Sequence, residues 1–303
     1  MDVSVIIVNY NTSEMLIECI ESIHRFTHCT DYEIIIVDNG SLEGQLSILK
    51  GQKDITLVEL SENVGFGRAN NAGANLAKGQ FLFFLNPDTV LAGEAIDKLF
   101  SYMHKNPEAG ICGGNLYSED GSPAHSYHML YPSILSELDF ASGKIFRRIC
   151  FGNNYQFNHT KKPLNVAMIT GADMMISKRI WDEVNGFDPA FFMYCEDADL
   201  CRRVRQKGYM IICLPVAKII HREGRSFKDD EVRCNRILDG RFVYFHKHYS
   251  KIYNLFADTL NVTSIFIAKV LSRILCNGNA YQNLSIRLRT YKKKIREYNG
   301  HIY

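Results

Sequence analysis

Short uninterrupted apolar runs alternate with mixed segments over the first hundred residues. VSVIIV (3–8), YEIIIVD (32–38), ITLVEL (55–60) and FLFFL (81–85) each read as a buried strand. Thr12 or Ser13 can cap a helix after the first run, and GRANNAGANLA (67–77) reads as a helix before the fourth. This alternation specifies right-handed βαβ units and a mainly parallel sheet. Ligands of such sheets bind outside the carboxyl ends of the strands. That rule places Asn9, Tyr10, Asp38, Asn63 and Asp88 along one rim.

The second half is less regular. NVAMITGADMMISKRIWDEVNGF (165–187) reads as a strand pair around Gly171-Ala172 followed by a helix. EDADLCRRVRQKG (196–208) reads as a helix with carboxylates in its first turn, where the helix dipole favours them. YMIICLP and AKIIHREG read as two further strands, the second delivering His221, and the pattern is helical beyond Asp229.

Several polar groups punctuate this pattern, each open to two readings. Asn86-Pro87-Asp88, at the tip of an apolar strand, is either a capped turn leading into a helix near Gly93 or part of a site for a hard divalent cation. Asp38-Asn39-Gly40 has the composition of a plain turn. Glu196-Asp197-Ala198-Asp199 is either a stabilised helix start or, because it follows the aromatic run GFDPAFFMYC, the edge of a cleft with a general base. His221 opens HREGRS, whose Gly224 and Ser226 suit a closing loop. The glycines at 65 and 67 lack the third glycine of G-x-G-x-x-G and follow the third apolar run, which disfavours a dinucleotide site. A P-loop motif is absent from the sequence.

Composition adds an asymmetry. The 303 residues carry a net charge of +2, but eleven Lys and Arg from Gly240 onward face only Asp258 and Glu297. Nine cysteines without a Cys-x-x-Cys pair suggest a reducing compartment rather than a disulfide framework. The first residues read as a strand rather than a secretion signal. No uncharged apolar stretch reaches the roughly 20 residues that cross a bilayer.

Taken together, SVIIVNYN, IIIVDNGS, NVGFGRANNAG, LNPD, GADMMI, GFDPAFFMYCEDADLCRRVRQKG and HREGRS resemble family 2 glycosyltransferases, and within them the bacterial rhamnosyltransferase-like branch. The resemblance implies an α/β GT-A fold over residues 1–239, with a nucleotide-binding half (1–110) and an acceptor half (111–239). Residues 240–303 would form a basic helical extension. It also implies a nucleotide-sugar donor, a divalent Mn²⁺ or Mg²⁺, and inversion at the anomeric carbon. Tyr10 and Asp38 would hold a pyrimidine base, with Asn11, Asn63 and Gly65 lining the base and ribose. Gly171 and Ala172 would line the donor sugar. Asp88 would be the metal ligand, with Asn86 in place of the family's first acid, and His221 would join it. Asp197 would be the base, with Glu196 beside it shaping the acceptor pocket. Arg225 and Ser226 would make diphosphate or lid contacts. Recognition of the sugar would lie in side chains around Gly171-Ala172-Asp173 and in the irregular segment 117–165.

The implied activity is transfer from a dTDP- or UDP-sugar, dTDP-L-rhamnose among the candidates, to a hydroxyl of a saccharide or lipid-linked glycan. A non-catalytic nucleotide-sugar-binding or scaffold subunit is the alternative. In the tail, Phe266, Ile267, Val270, Leu271, Ile274 and Leu275 share one side of a helical wheel, which Ile265 breaks. Periodicity favours packing of that side on its own domain. A helix lying in a membrane interface is the alternative, and RLRTYKKKIREY would then meet anionic head groups. The resemblance to members that elongate lipid-linked glycans points to a cytoplasmic protein, peripheral on the cytoplasmic face of the inner membrane. No nucleic-acid recognition motif accompanies the basic cluster.

Overall fold

The computed structural model describes residues 1–52, 54–222, 230–275 and 278–300. The chain opens with β1 (Val3–Asn9), α1 (Ser13–Phe26), β2 (Tyr32–Asn39), α2 (Glu43–Lys50), β3 (Ile55–Leu60) and α3 (Phe66–Ala74). β4 (Phe81–Leu85), β5 (Thr89–Leu91), α4 (Ala95–Lys105), β6 (Ala109–Tyr117) and β7 (Tyr127–His128) follow. Then come α5 (Ile134–Ala141), α6 (Ile145–Phe151), β8 (Leu164–Asn165), β9 (Met168–Ile169), β10 (Asp173–Ser177) and α7 (Lys178–Glu183). The last elements are α8 (Glu196–Gln206), β11 (Met210–His221), α9 (Asp230–His248), α10 (Lys251–Ile274) and α11 (Gly278–Gly300).

These elements form two compact units. The first holds Met1–Tyr131, Phe151–Pro189 and Asp197–Ser226; the second holds Pro132–Cys150, Ala190–Glu196 and Phe227–Tyr303. The chain thus divides at other points than residue 239/240. Asp239 and Gly240 lie inside one continuous helix, α9, and the second unit also takes in α5 and most of α6.

The first unit is built on a nine-stranded mixed sheet in the order β3-β2-β1-β4-β10-β6-β11-β5, with β8 on β11. β1, β2, β3 and β4 run parallel to one another, as expected from their uninterrupted apolar runs. Every residue of β1 and β4 is buried, so both faces of the sheet are covered. Helix α3 approaches β1 and β2 so closely that a Cβ on Gly73 would lie 2.7 Å from the Ile6 side chain.

Two sequence expectations are corrected here. No strand pair forms around Gly171-Ala172: β10 inserts antiparallel between β4 and β6, while β9 pairs with β7. YMIICLP and AKIIHREG are one strand, β11, not two. Pro215 sits inside it, at the register shift between Cys213 and Lys218 where the ladder to β6 is interrupted and no N–H is needed.

The second unit is helical. Leu238, Phe242, Ile265, Leu288 and Tyr291 form its core. Beside them Arg241 is buried in a polar network, with Nε donating to Glu137 Oε1 at 2.5 Å and Nη1 to Asp258 Oδ1 at 2.9 Å. Tyr291 donates its hydroxyl to the same Asp258 oxygen at 2.8 Å. The rings of Phe242, Phe245 and Tyr291 surround the guanidinium. The expected packing of the Phe266 side of α10 is overturned. That side is exposed, and Ile265, which broke the wheel, is the residue buried at 5% exposure.

Candidate active site

The site grows from the ends of β1, β2 and β4. Asn9 ends β1 opposite Asp38 in the parallel register. Its amide donates to Asp38 Oδ1 at 2.7 Å and to Ser41 Oγ at 3.1 Å. Its carbonyl oxygen accepts from the Thr12 backbone N–H and hydroxyl. The Thr12 side chain makes no capping bond of its own at the start of α1. Asp38 is buried, and its Oδ2 accepts from Ser41 N–H at 3.0 Å. Asn11 takes a left-handed φ of 57° and accepts from Leu42 N–H at 2.9 Å. Tyr10, between these anchored residues, stands 47% exposed, so its ring is available for stacking.

A second lock sits beside the first. Asn39 donates to Asn63 Oδ1 at 3.1 Å and accepts from Val64 N–H at 2.9 Å. Asn63 Oδ1 also accepts from Gly65 N–H at 3.0 Å. Gly65 has φ +93°, a region only glycine enters without strain, and it opens α3 from there. Tyr10, Asn11, Asp38, Asn63 and Gly65 therefore sit on two neighbouring turns held by asparagines.

The Asn86-Pro87-Asp88 turn leads into β5 rather than directly into a helix. β5 pairs antiparallel with β11, setting Thr89 opposite His221. That pairing carries the imidazole to the turn. His221 Nε2 lies 3.3 Å from Asp88 Oδ1 and 3.5 Å from Asn86 Nδ2. Asp88 is buried, and its Oδ1 accepts no hydrogen bond.

The chemistry of this pair can be tested against a divalent cation. Octahedral Mg²⁺ with bonds of 2.0–2.1 Å spaces adjacent ligands by about 3 Å. The Asp88–His221 separation of 3.3 Å matches that spacing, and a buried carboxylate oxygen is a donor suited to such a cation. Among the described residues there is no group of three or more His, Cys, Asp or Glu side chains that could hold a metal ion. Two protein ligands fit a cation whose shell is completed by substrate phosphates and water.

Gly171 and Ala172 join this turn to the acidic helix. Asn86 N–H donates to Ala172 C=O at 3.0 Å, and Gly171 N–H donates to Asp197 Oδ2 at 3.1 Å. Asp197 Oδ1 accepts from Ala198 N–H at 2.7 Å. Although half-buried, Asp197 is enclosed enough that burial lifts its carboxyl to about 6, with the two backbone donors opposing the rise. The remaining acids of the run serve otherwise. Asp199 is buried and ion-paired with Arg203, whose guanidinium also reaches the Val184 and Gly186 carbonyls. Glu196 is buried directly before Asp197 and follows Tyr194 and Cys195, both at left-handed φ. Gly224, Arg225 and Ser226 lie outside the described residues.

The sequence leaves the structural roles of two named residues unassigned. Asn9 was placed on the rim but not seen as its organiser. Asp173, fully buried behind Ala172, accepts from Gly114 N–H at 2.5 Å, and burial pushes its carboxyl well above the ordinary range.

Comparison with known proteins agrees with this geometry. Residues 4–184 match the model of glycosyl transferase family 2, and residues 154–224 match that described as the N-terminal domain of galactosyltransferase. The O-antigen biosynthesis protein RfbC of Myxococcus xanthus is 26% identical over 76% of the chain, which spans only 18% of that relative's length. The N-acetylglucosaminyl-diphospho-decaprenol L-rhamnosyltransferase of Mycobacterium tuberculosis is 24% identical over 64% of the chain and 67% of its own. The rhamnosyltransferase WbbL of Escherichia coli is 25% identical over 84% of the chain and 99% of its own. Among solved structures, the mannosyltransferase PcManGT of Pyrobaculum calidifontis, in complex with GDP-Man and Mn²⁺, superposes with TM-score 0.60 at 14% identity. It covers 99% of this chain and 88% of its own. GalNAc-T7 with UDP, GalNAc and Mn²⁺ gives 0.55 at 18% identity, over 73% of this chain and 44% of its own. The fold is GT-A, and the chain belongs to glycosyl transferase family 2.

Proposed function

We propose that this protein is an inverting, metal-dependent glycosyltransferase. It moves a sugar from a dTDP- or UDP-sugar, dTDP-L-rhamnose being the leading candidate, to a hydroxyl of a saccharide or lipid-linked glycan in cell-surface polysaccharide synthesis. The observation that carries the reading is the junction at Gly171-Ala172. One backbone hydrogen bond on each side ties the Asp88–His221 turn to Asp197.

The residues divide the work. Tyr10 stacks on the pyrimidine, and Asp38, oriented by Asn9, accepts from its ring N–H. Asn63 and Gly65 shape the turn that faces the ribose. Asp88 and His221 would hold the cation, which when bound neutralises charge on the nucleoside diphosphate as it leaves. Asp197 takes the proton from the acceptor hydroxyl as that oxygen attacks the face of the sugar opposite the diphosphate. A carboxyl near 6 is ionised at neutral pH yet more basic than a surface aspartate, which suits it to a proton released late in bond formation. The alignment of acceptor and donor supplies much of the remaining acceleration, and no covalent enzyme intermediate is required. The products leave as a lengthened glycan and a free nucleoside diphosphate. Action on lipid-linked acceptors places the protein at the cytoplasmic face of a membrane, where the basic residues after 240 meet anionic lipid.

The reading is tested by thermal-shift titration of wild type and Asp88→Ala with UDP, dTDP and GDP, each with and without Mn²⁺. Stabilisation by UDP or dTDP that requires Mn²⁺ and is lost in the variant is expected. No response to any pyrimidine diphosphate overturns it. Binding without sugar transfer to any saccharide acceptor would leave the non-catalytic subunit as the reading.

A further inference from the structure

Helix α10 is built inside out for a protein surrounded by water. On a 3.6-residue wheel, Ile252, Phe256, Phe266, Ile267, Val270 and Ile274 fall within one stripe running the length of the helix, and all are exposed. Phe256 is 67% exposed and Ile274 69%. The opposite side, which is buried, carries Asn254, Ala257, Asp258, Ile265 and Ser272. Polar and small groups therefore face the protein interior while large apolar groups face outward. At 1.5 Å per residue the stripe is about 36 Å long. The hairpin of α5 and α6, in the same compact unit, repeats the inversion. Asp139 and Arg147 are buried as an ion pair, while Phe140, Ile145 and Ile149 are exposed.

Charge narrows what covers the stripe. α10 has a single acid, Asp258, which is buried and bonded to Arg241 and Tyr291. α6 has none, and its Arg148 is exposed. Lys251 and Arg273 mark the two ends of the α10 stripe, and α11 exposes Arg289, Lys292, Lys293 and Arg296. An antiparallel two-fold contact along the stripe would set Lys251 of one copy against Arg273 of the other. An anionic lipid surface satisfies both the apolar stripe and its basic ends.

We infer that the second unit docks flat on an anionic bilayer, with the outward face of α10 buried among the lipid acyl chains near the head groups. The helix lies in the membrane surface and does not cross it. By length and apolar composition α10 could span a bilayer. Its inner side, however, holds Asp258 in the Arg241–Tyr291 network, which a spanning helix would have to break. An in-plane amphipathic helix buries its apolar side while its polar side stays with the protein. This deepens the membrane-side reading proposed above and adds the surface that performs it.

Flotation of the full chain with phosphatidylglycerol–phosphatidylethanolamine vesicles and with neutral phosphatidylcholine vesicles tests the inference. Wild type is compared with the triple variant Phe256→Glu, Ile267→Glu and Ile274→Glu. All three positions are exposed, so the variant is expected to keep the wild-type melting temperature and nucleotide-induced shift. Wild type should float with the anionic vesicles, and the variant should lose about tenfold or more of the bound fraction. Equal flotation of variant and wild type, or no flotation of wild type, overturns the inference. A wild-type dimer that the variant converts to monomer, without flotation, also overturns it and assigns the face to a second copy. The nucleotide shift, read on the same preparations, separates failure of docking from failure of the active-site reading.

Discussion

Gly171 donates its backbone N–H to the Asp197 carboxylate across 3.1 Å. The bond fixes one oxygen of the carboxyl by backbone alone, so its position depends on the turn rather than on a side-chain rotamer. Burial simultaneously raises the group to about 6.

Two consequences can be measured. Replacing Asp197 by Asn keeps the size of the side chain but removes the proposed base and leaves either Gly171 N–H or Ala198 N–H without its acceptor, so transfer should fall by about 10²- to 10⁴-fold with donor binding retained. In wild type the base works only when ionised. The rate should therefore climb about tenfold per pH unit below the raised value and level off above about 6. A rate profile over pH 4.5–8 that is flat through 6, or an active Asn variant, refutes the assignment.

Asn86 lies 3.5 Å from the His221 ring, and in the proposed metal site a carboxylate at this position would add a second anionic ligand. Asn86→Asp should tighten Mn²⁺ binding in the presence of UDP or dTDP, whereas Asp88→Ala should abolish it. Calorimetric titration of Mn²⁺ into the nucleotide-loaded protein reads both. An unchanged affinity in Asn86→Asp would mean the side chain points away from the cation.

Asp173 offers a test independent of activity. Burial pushes its carboxyl well above the ordinary range, and it accepts from Gly114 N–H. An acid with a raised folded pKa contributes stability that is fully present below the ordinary carboxylate range and declines as pH rises toward the raised value. Asn cannot ionise and escapes that decline. Asp173→Asn should therefore melt at or above wild type at pH 7.5, with the gap closing by pH 4. Asp173→Ala should lose about 1–3 kcal/mol at either pH, because Gly114 N–H is left without a partner. An Asn variant less stable than wild type at pH 7.5 would contradict the upward shift.

The sequence exposed what depends on runs and missed what depends on register. β1, β2, β3 and β4 were legible because strands buried on both faces are written as unbroken apolar stretches. β11 was read as two strands because Pro215 reads locally as a break, while the bulge that accommodates it exists only once β6 is beside it. Asp38, Asp88, Asp197 and His221 were singled out by motif. The meeting of His221 with Asp88 follows from the pairing of β5 with β11, which no local pattern encodes. Asn9 became an organiser because β1 and β2 pair in the register that sets it opposite Asp38. On α10 the wheel grouped the correct side chains and gave the wrong direction. Periodicity says which residues share a face, but the rest of the fold decides where that face points.

The buried network of the second unit should be its most sensitive point. Arg241 touches Glu137 and Asp258 and is enclosed by three aromatic rings, so its charge has little water to fall back on. Removing Asp258 leaves Glu137 as the counter-charge of Arg241 but takes the acceptor from Arg241 Nη1, and a buried donor left without a partner typically costs about 1–3 kcal/mol. Asp258→Ala also takes the hydrogen-bond acceptor from the Tyr291 hydroxyl. Asp258→Asn keeps the shape and an acceptor oxygen while losing only the charge. The Ala variant should therefore unfold at markedly lower denaturant concentration than wild type, with the Asn variant between them. Denaturation followed by near-ultraviolet circular dichroism reads the loss of aromatic packing, to which Tyr291 and its neighbours contribute. If Asp258→Ala unfolds together with wild type, the network contributes no net stability, and the polar inner side of α10 would need another explanation.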